Sequence, residues 1–195
     1  MGTRNLTCAV IDGEYKIAQY GQWDGYPSGQ GATALQFLHS MDRESFITKL
    51  RAARFATDED LDAIQAELDS AVPGSARSMM DEGGRYQQFS RDRGASILNI
   101  VAKAEPGILL KDRSSFAADS PFCEWAYVAD FDMGTFEVFR GFNEDPVQEG
   151  ERFHGTSSDD PSPGYYPVRL VKTYQLDALP THEQFLADLE PQGEE

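Results

Sequence analysis

An α+β fold with a mostly antiparallel sheet, built from N-terminal and C-terminal hairpins with helices inserted between them, is what this sequence predicts. Three observations carry it. Asp12-Gly13 separates two runs of strand-forming residues near the start. A second pair of runs, aromatic and β-branched, brackets Asp132-Met133-Gly134. Between the two pairs the apolar residues recur mainly at helical spacing. Strands at both ends with helices between argue for α+β.

Each element has its own signal. Residues 6–11 and 15–20 form the first hairpin. Residues 21–31 follow as a glycine-punctuated loop, then a helix over 32–40 with Leu35 and Leu38 on one face. Asp42 caps a second helix running to Ala53, with Phe46, Ile47 and Leu50 as its stripe. Thr57 caps a third, whose first turn is acidic as the helix dipole favours, with Leu61, Ile64 and Leu68 inward. Val72-Pro73-Gly74 stops it. Residues 75–93 read as irregular, 94–104 as an apolar helix, and 108–110 as a short edge strand. The second hairpin spans 122–131 and 135–140. Residues 144–163 are acidic and rich in Gly, Pro and Ser, which predicts a long exposed loop. A last strand covers 168–176. Thr181 with Gln184 then forms a capping box for a helix to about Glu190.

A chain of 195 residues, 40% hydrophobic, suits one domain over 1–190 with a disordered acidic tail at 191–195. Cys8 and Cys123 sit in apolar runs far from the three histidines, a pattern of buried free thiols in a reducing, cytoplasmic compartment. Neither a structural zinc nor any other metal or cofactor is expected from such spacing. No stretch approaches the roughly 20 apolar residues of a membrane helix. The net charge is −16, and residues 119–195 hold 17 acids against 4 bases. Nucleic-acid backbones repel such a surface.

Two segments are dense in chemistry. Residues 19–31 contain Gln22, Trp23, Asp24 and Tyr26 among four glycines. In a binding site, Trp23 or Tyr26 would stack on a ligand and Asp24 would anchor it, while the helix start after Gly31 would welcome an anion. In a structural loop, the two aromatics would plug the core edge and Asp24 would bond turn amides. Ser90-Arg91-Asp92-Arg93-Gly94 places two guanidiniums around a carboxylate. Such forks suit phosphate or carboxylate, with Asp92 holding one in place, or they stand solvated at a helix start. Asp130, Asp132 and Glu137 read as solvated hairpin charges. The glycine spacing is neither a dinucleotide fingerprint nor a phosphate loop with its lysine.

The start Gly2-Thr3-Arg4-Asn5-Leu6, the string Gln22-Trp23-Asp24-Gly25-Tyr26-Pro27, Arg91-Asp92-Arg93-Gly94 and Glu124-Trp125-Ala126-Tyr127 together resemble an uncharacterised family of bacteria, phages and filamentous fungi. Many phage members carry His where this chain has Gln22, so an imidazole acid or base is missing there. That family has no established activity. The resemblance implies a shared fold and a shared site at Asp24, Tyr26, Arg91, Asp92 and Arg93; Arg4 and Glu124 are further ligand-binding candidates.

The leading expectation is therefore a small-molecule binding domain for an anionic ligand, a nucleotide-derived molecule being one such ligand. An acidic interaction or inhibitor protein, working through the C-terminal charge or by mimicking nucleic acid, is the alternative. An N-terminal-nucleophile amidase fits less well, because Gly2 stands where the nucleophile would be.

Overall fold

The computed structural model describes residues 2–70, 79–81, 83–158 and 162–189. The expected break at Val72-Pro73-Gly74 and the tail at 191–195 lie outside the described residues. The fold is α+β. Strands β1 (Asn5–Ile11), β2 (Glu14–Gly21), β5 (Trp125–Asp130), β6 (Thr135–Arg140) and β7 (Arg169–Gln175) make one sheet in the order β2-β1-β5-β6-β7. Both expected hairpins are present. Asp12 and Gly13 turn the first with φ of 55° and 75°, as an Asp-Gly turn of that hand requires. The two hairpins join along a parallel seam, β1 against β5, with Asn5 opposite Trp125.

Helices α1 (Ala32–Ser40), α2 (Arg43–Ala52), α4 (Ser96–Lys103) and α5 (His182–Leu189) contribute to a core on one sheet face. Trp125, Tyr127 and Ala129 point into that core. Ala126 and Val128, one residue out of phase, point into a second. A 3-10 helix (Ser114–Ala118) and Phe153 cover the second face. With both faces covered, every residue of β1 is buried. Helix α3 (Asp58–Ser70) is different. None of its residues is fully buried, so Leu61, Ile64 and Leu68 reach the body only partly. Strands β3 (Arg54–Phe55) and β4 (Leu109–Leu110) form a small parallel pair beside it.

Local signals explain the ends. The Asp42 carboxylate accepts from Ser45 N at 3.0 Å, and Thr57 Oγ1 accepts from Asp60 N at 3.2 Å. Thr181 Oγ1 accepts from Gln184 N at 3.2 Å, but Gln184 turns to Asp188 instead of closing the box.

One expectation is overturned. Asp130 is not a solvated hairpin charge: it is 4% exposed. Arg152, from the loop expected to be fully exposed, reaches across to Asp130 at 2.5 Å and to Glu137 at 2.9 Å. Burial opposes the guanidinium's charge, but hydrogen bonds to Glu137 and Asp130 outweigh it and raise its pKa. Phe153 is buried beside it. The loop is thus pinned over the second core by one ion cluster and one ring. Asp132, in the hairpin turn, accepts from the amides of Asp12 and Gly13 at 2.9 and 2.8 Å, tying one hairpin tip to the other.

Among the described residues, no helix is long and apolar enough to cross a membrane.

Candidate functional site

The loop after β2 folds back beneath the N-terminus. Gly25 N donates to Thr3 O at 2.9 Å, and the Tyr127 hydroxyl, from β5, donates to Gly25 O at 2.7 Å. Asn5 Nδ2 reaches Gly21 O and Trp23 O at 3.3 and 3.4 Å. Residues Pro27–Gly31 form one π-helical turn that continues into α1. Gly31 is pressed against Tyr127, whose ring would lie 2.8 Å from any added Cβ. The Gly31 amide donates back to Tyr26 O at 3.3 Å. The free helix start expected there as an anion site is therefore absent, because α1 inherits a preceding turn.

Trp23 and Tyr26 are 52% and 53% exposed, so neither plugs the core. The Trp23 ring covers Gly2, where a side chain would collide with it. Asp24 sits at φ 54°, a conformation Asp tolerates better than most residues. Its carboxylate bonds no turn amide and joins no ion pair among the described residues. Its carbonyl accepts from Gln30 N at 2.8 Å.

The Arg91-Asp92-Arg93 segment splits three ways. The Arg91 guanidinium donates to Gln22 Oε1, which also accepts from the Tyr20 hydroxyl at 2.6 Å. Arg93 turns inward, giving Nε to Gln87 O at 3.0 Å and Nη2 to Met80 O at 3.1 Å. It is a structural clamp rather than half of an anion fork. Asp92 holds neither arginine, and its amide meets Ser90 Oγ at 3.5 Å. Arg4 and Glu124 form a separate tie at the sheet end. Arg4 N donates to Glu124 Oε1 at 3.3 Å, Glu124 N donates to Arg4 O at 3.1 Å, and the Arg4 guanidinium lies 4.6 Å from the Phe122 ring centroid.

The two sequence motifs nevertheless meet. Gln22 joins Arg91. Gln30 bridges the same two segments, donating to Trp23 O at 3.3 Å and accepting from Ala95 N at 2.7 Å. Gly94, at φ 46°, leaves room for the Gln30 side chain.

On the Arg91 side of this junction lies a cavity of about 530 Å³, within the size range of small-molecule sites. Three cations line it: Arg91, Lys111 and Arg113. None of the three takes part in an ion pair among the described residues. The chain brings Lys111 and Arg113 there by running along β2, where Arg113 N donates to Ala18 O at 3.0 Å. Asp112, between them, accepts from Ser114 N at 2.8 Å and opens the 3-10 helix. Burial, with Arg113 second, lowers the Lys111 pKa. Both causes penalise its positive charge, and an anion in the cavity would offset that penalty. Phe89 and Phe116 supply apolar wall, and Asp119 supplies an acid.

Sequence reasoning picked out Arg91 and missed Lys111 and Arg113. Their signal was the i, i+2 spacing after the apolar run at 108–110, which puts two cations on one side of an extended segment. Among the described residues, no group of three or more His, Cys, Asp or Glu is placed to hold a metal ion. No protein-family model matches this chain, and neither does any curated protein or solved structure.

Proposed function

We propose that this protein is a binding domain for a small anionic molecule, held in the cavity beside Arg91. One observation carries the reading. A chain of net charge −16 gathers three cations around one cavity and pairs none of them with a carboxylate among the described residues. Elsewhere on the molecule the arginines mostly find acids: Arg43, Arg51, Arg54, Arg85, Arg152 and Arg169 all do. Leaving three cations together costs free energy through mutual repulsion, which a bound anion offsets.

The resemblance to the bacterial, phage and fungal family fits this reading. Two of its motifs meet where Arg91 donates to Gln22, and Arg91 also lines the cavity. Two buried, unpaired thiols suit a reducing cytoplasmic setting for such a protein.

The test is a thermal-shift and native mass-spectrometry panel of small phosphates, sulfate and carboxylates against their neutral analogues. The expected result is stabilisation by anions only, weakened by added salt and lost in Lys111→Glu. Equal shifts in wild type and Lys111→Glu, or no shift with any anion, would overturn the reading and favour an acidic protein-binding surface.

A further inference from the structure

Resting on that reading, we propose that the anion is phosphate carried by a flat nitrogen-bearing ring, as in a nucleoside monophosphate. The three cations are only part of the cavity's lining. A volume of about 530 Å³ is far more than a lone phosphate or sulfate fills, so the remainder is shaped for something else.

That remainder has a definite chemistry. Gln88 is only 7% exposed, yet its carboxamide makes no hydrogen bond to any described residue. It lines this cavity and a neighbouring one of about 770 Å³. Gln19, 6% exposed, lines the same cavity. Its Nε2 is engaged by Tyr20 O at 2.9 Å and Ser90 O at 3.3 Å. Its Oε1 receives no donor among the described residues. The two glutamines together offer donors and acceptors, groups of the kind that read the edge of a heteroaromatic ring. Phe89 and Phe116 line the cavity as ring surface, and Tyr20 braces Phe116 edge-on at 4.9 Å between centroids. Rings for a planar face, carboxamides for its edge and cations for an anionic group are the three recognition elements of a mononucleotide.

The test is calorimetric titration of the wild-type protein with four probes: inorganic phosphate, ribose 5-phosphate, a set of nucleosides and the matching nucleoside 5′-monophosphates. At least one monophosphate is expected to bind tenfold or more tightly than both ribose 5-phosphate and its own nucleoside. Lys111→Met should bring that monophosphate down to nucleoside affinity. Gln88→Leu should bring it down to ribose 5-phosphate affinity while leaving ribose 5-phosphate itself unchanged. If ribose 5-phosphate binds as well as every monophosphate, the ring is not recognised and this inference fails, although anion binding stands. If no anionic probe binds, both fail. The wild-type comparison decides the matter even where a variant does not fold.

Discussion

Thr7 and Gly94 show how much one residue's surroundings decide. Thr7 is 1% exposed in the middle of β1, and its hydroxyl has no partner among the described residues. Val has the same shape without the hydroxyl and favours strands. Thr7→Val should therefore stabilise the protein by about 1 kcal/mol, read as a higher urea midpoint at unchanged slope. Gly94 and Gly134 both hold positive φ, 46° and 67°. Around Gly134 there is open space, so Gly134→Ala should cost only the backbone strain, about 1–2 kcal/mol. At Gly94 an added methyl would strike the Gln30 side chain. Gly94→Ala should cost more than about 2 kcal/mol. In a Gln30→Ala background that penalty should fall toward the Gly134 value, which a double-mutant cycle by urea unfolding would check. Equal penalties in both backgrounds would mean that the Gln30 contact is not the cause.

At the scale of elements, periodicity and turn chemistry read well, and long-range electrostatics did not. Both hairpins, the helices over 32–40 and 43–52, and the caps at Asp42 and Thr57 were legible because each rests on residues a few positions apart. The described part of the loop at 144–163 is mostly exposed, as expected, but its anchoring was not legible because its anchors are distant. Arg152 finds Asp130 and Glu137 on two strands already folded, and no local pattern announces that meeting. For the same reason Arg91, Lys111 and Arg113 converge unannounced, although Arg91 was singled out by its own motif. The Arg152 cluster also gives a testable magnitude. Asp130 is 4% exposed and Glu137 is half-buried, so Arg152→Ala leaves two carboxylates facing each other without their cation. A loss of about 3 kcal/mol is expected, reduced from the fully buried case by the guanidinium's partial exposure. Hydrogen exchange should show protection falling first in residues 147–156. Uniform loss of protection across the sheet would show that the cluster supports the whole fold rather than its cover.

For the whole molecule, the buried acids of weak strength set the response to alkali. Burial pushes the thiols of Cys8 and Cys123 up, and burial with the neighbouring Cys8 pushes Tyr15 up to about 12. A group whose pKa is higher in the folded state holds its proton more tightly there. Its contribution is complete below the unfolded thiol value near about 8.5 and declines as pH rises toward the folded value. Each thiol then removes up to about 1.4 kcal/mol per pH unit. The urea midpoint should fall between pH 8 and pH 10, and the fall should be shallower in Cys8→Ala. An unchanged slope in that variant would assign the alkaline loss to other groups.

The parallel seam between β1 and β5 has a consequence in time. Strand β1 leaves the ribosome more than a hundred residues before its neighbour on that side, β5. At about 5–20 residues per second, the first hairpin waits on the order of 6–25 seconds with one edge unpaired. Closing that seam also means bringing together the two ends of a long, partly helical segment, which makes it the slow event of refolding. The order of synthesis therefore leaves a strand that is buried throughout in the finished protein long without one of its partners, and makes it a place where a nascent chain is open to capture by a chaperone or by another copy of itself.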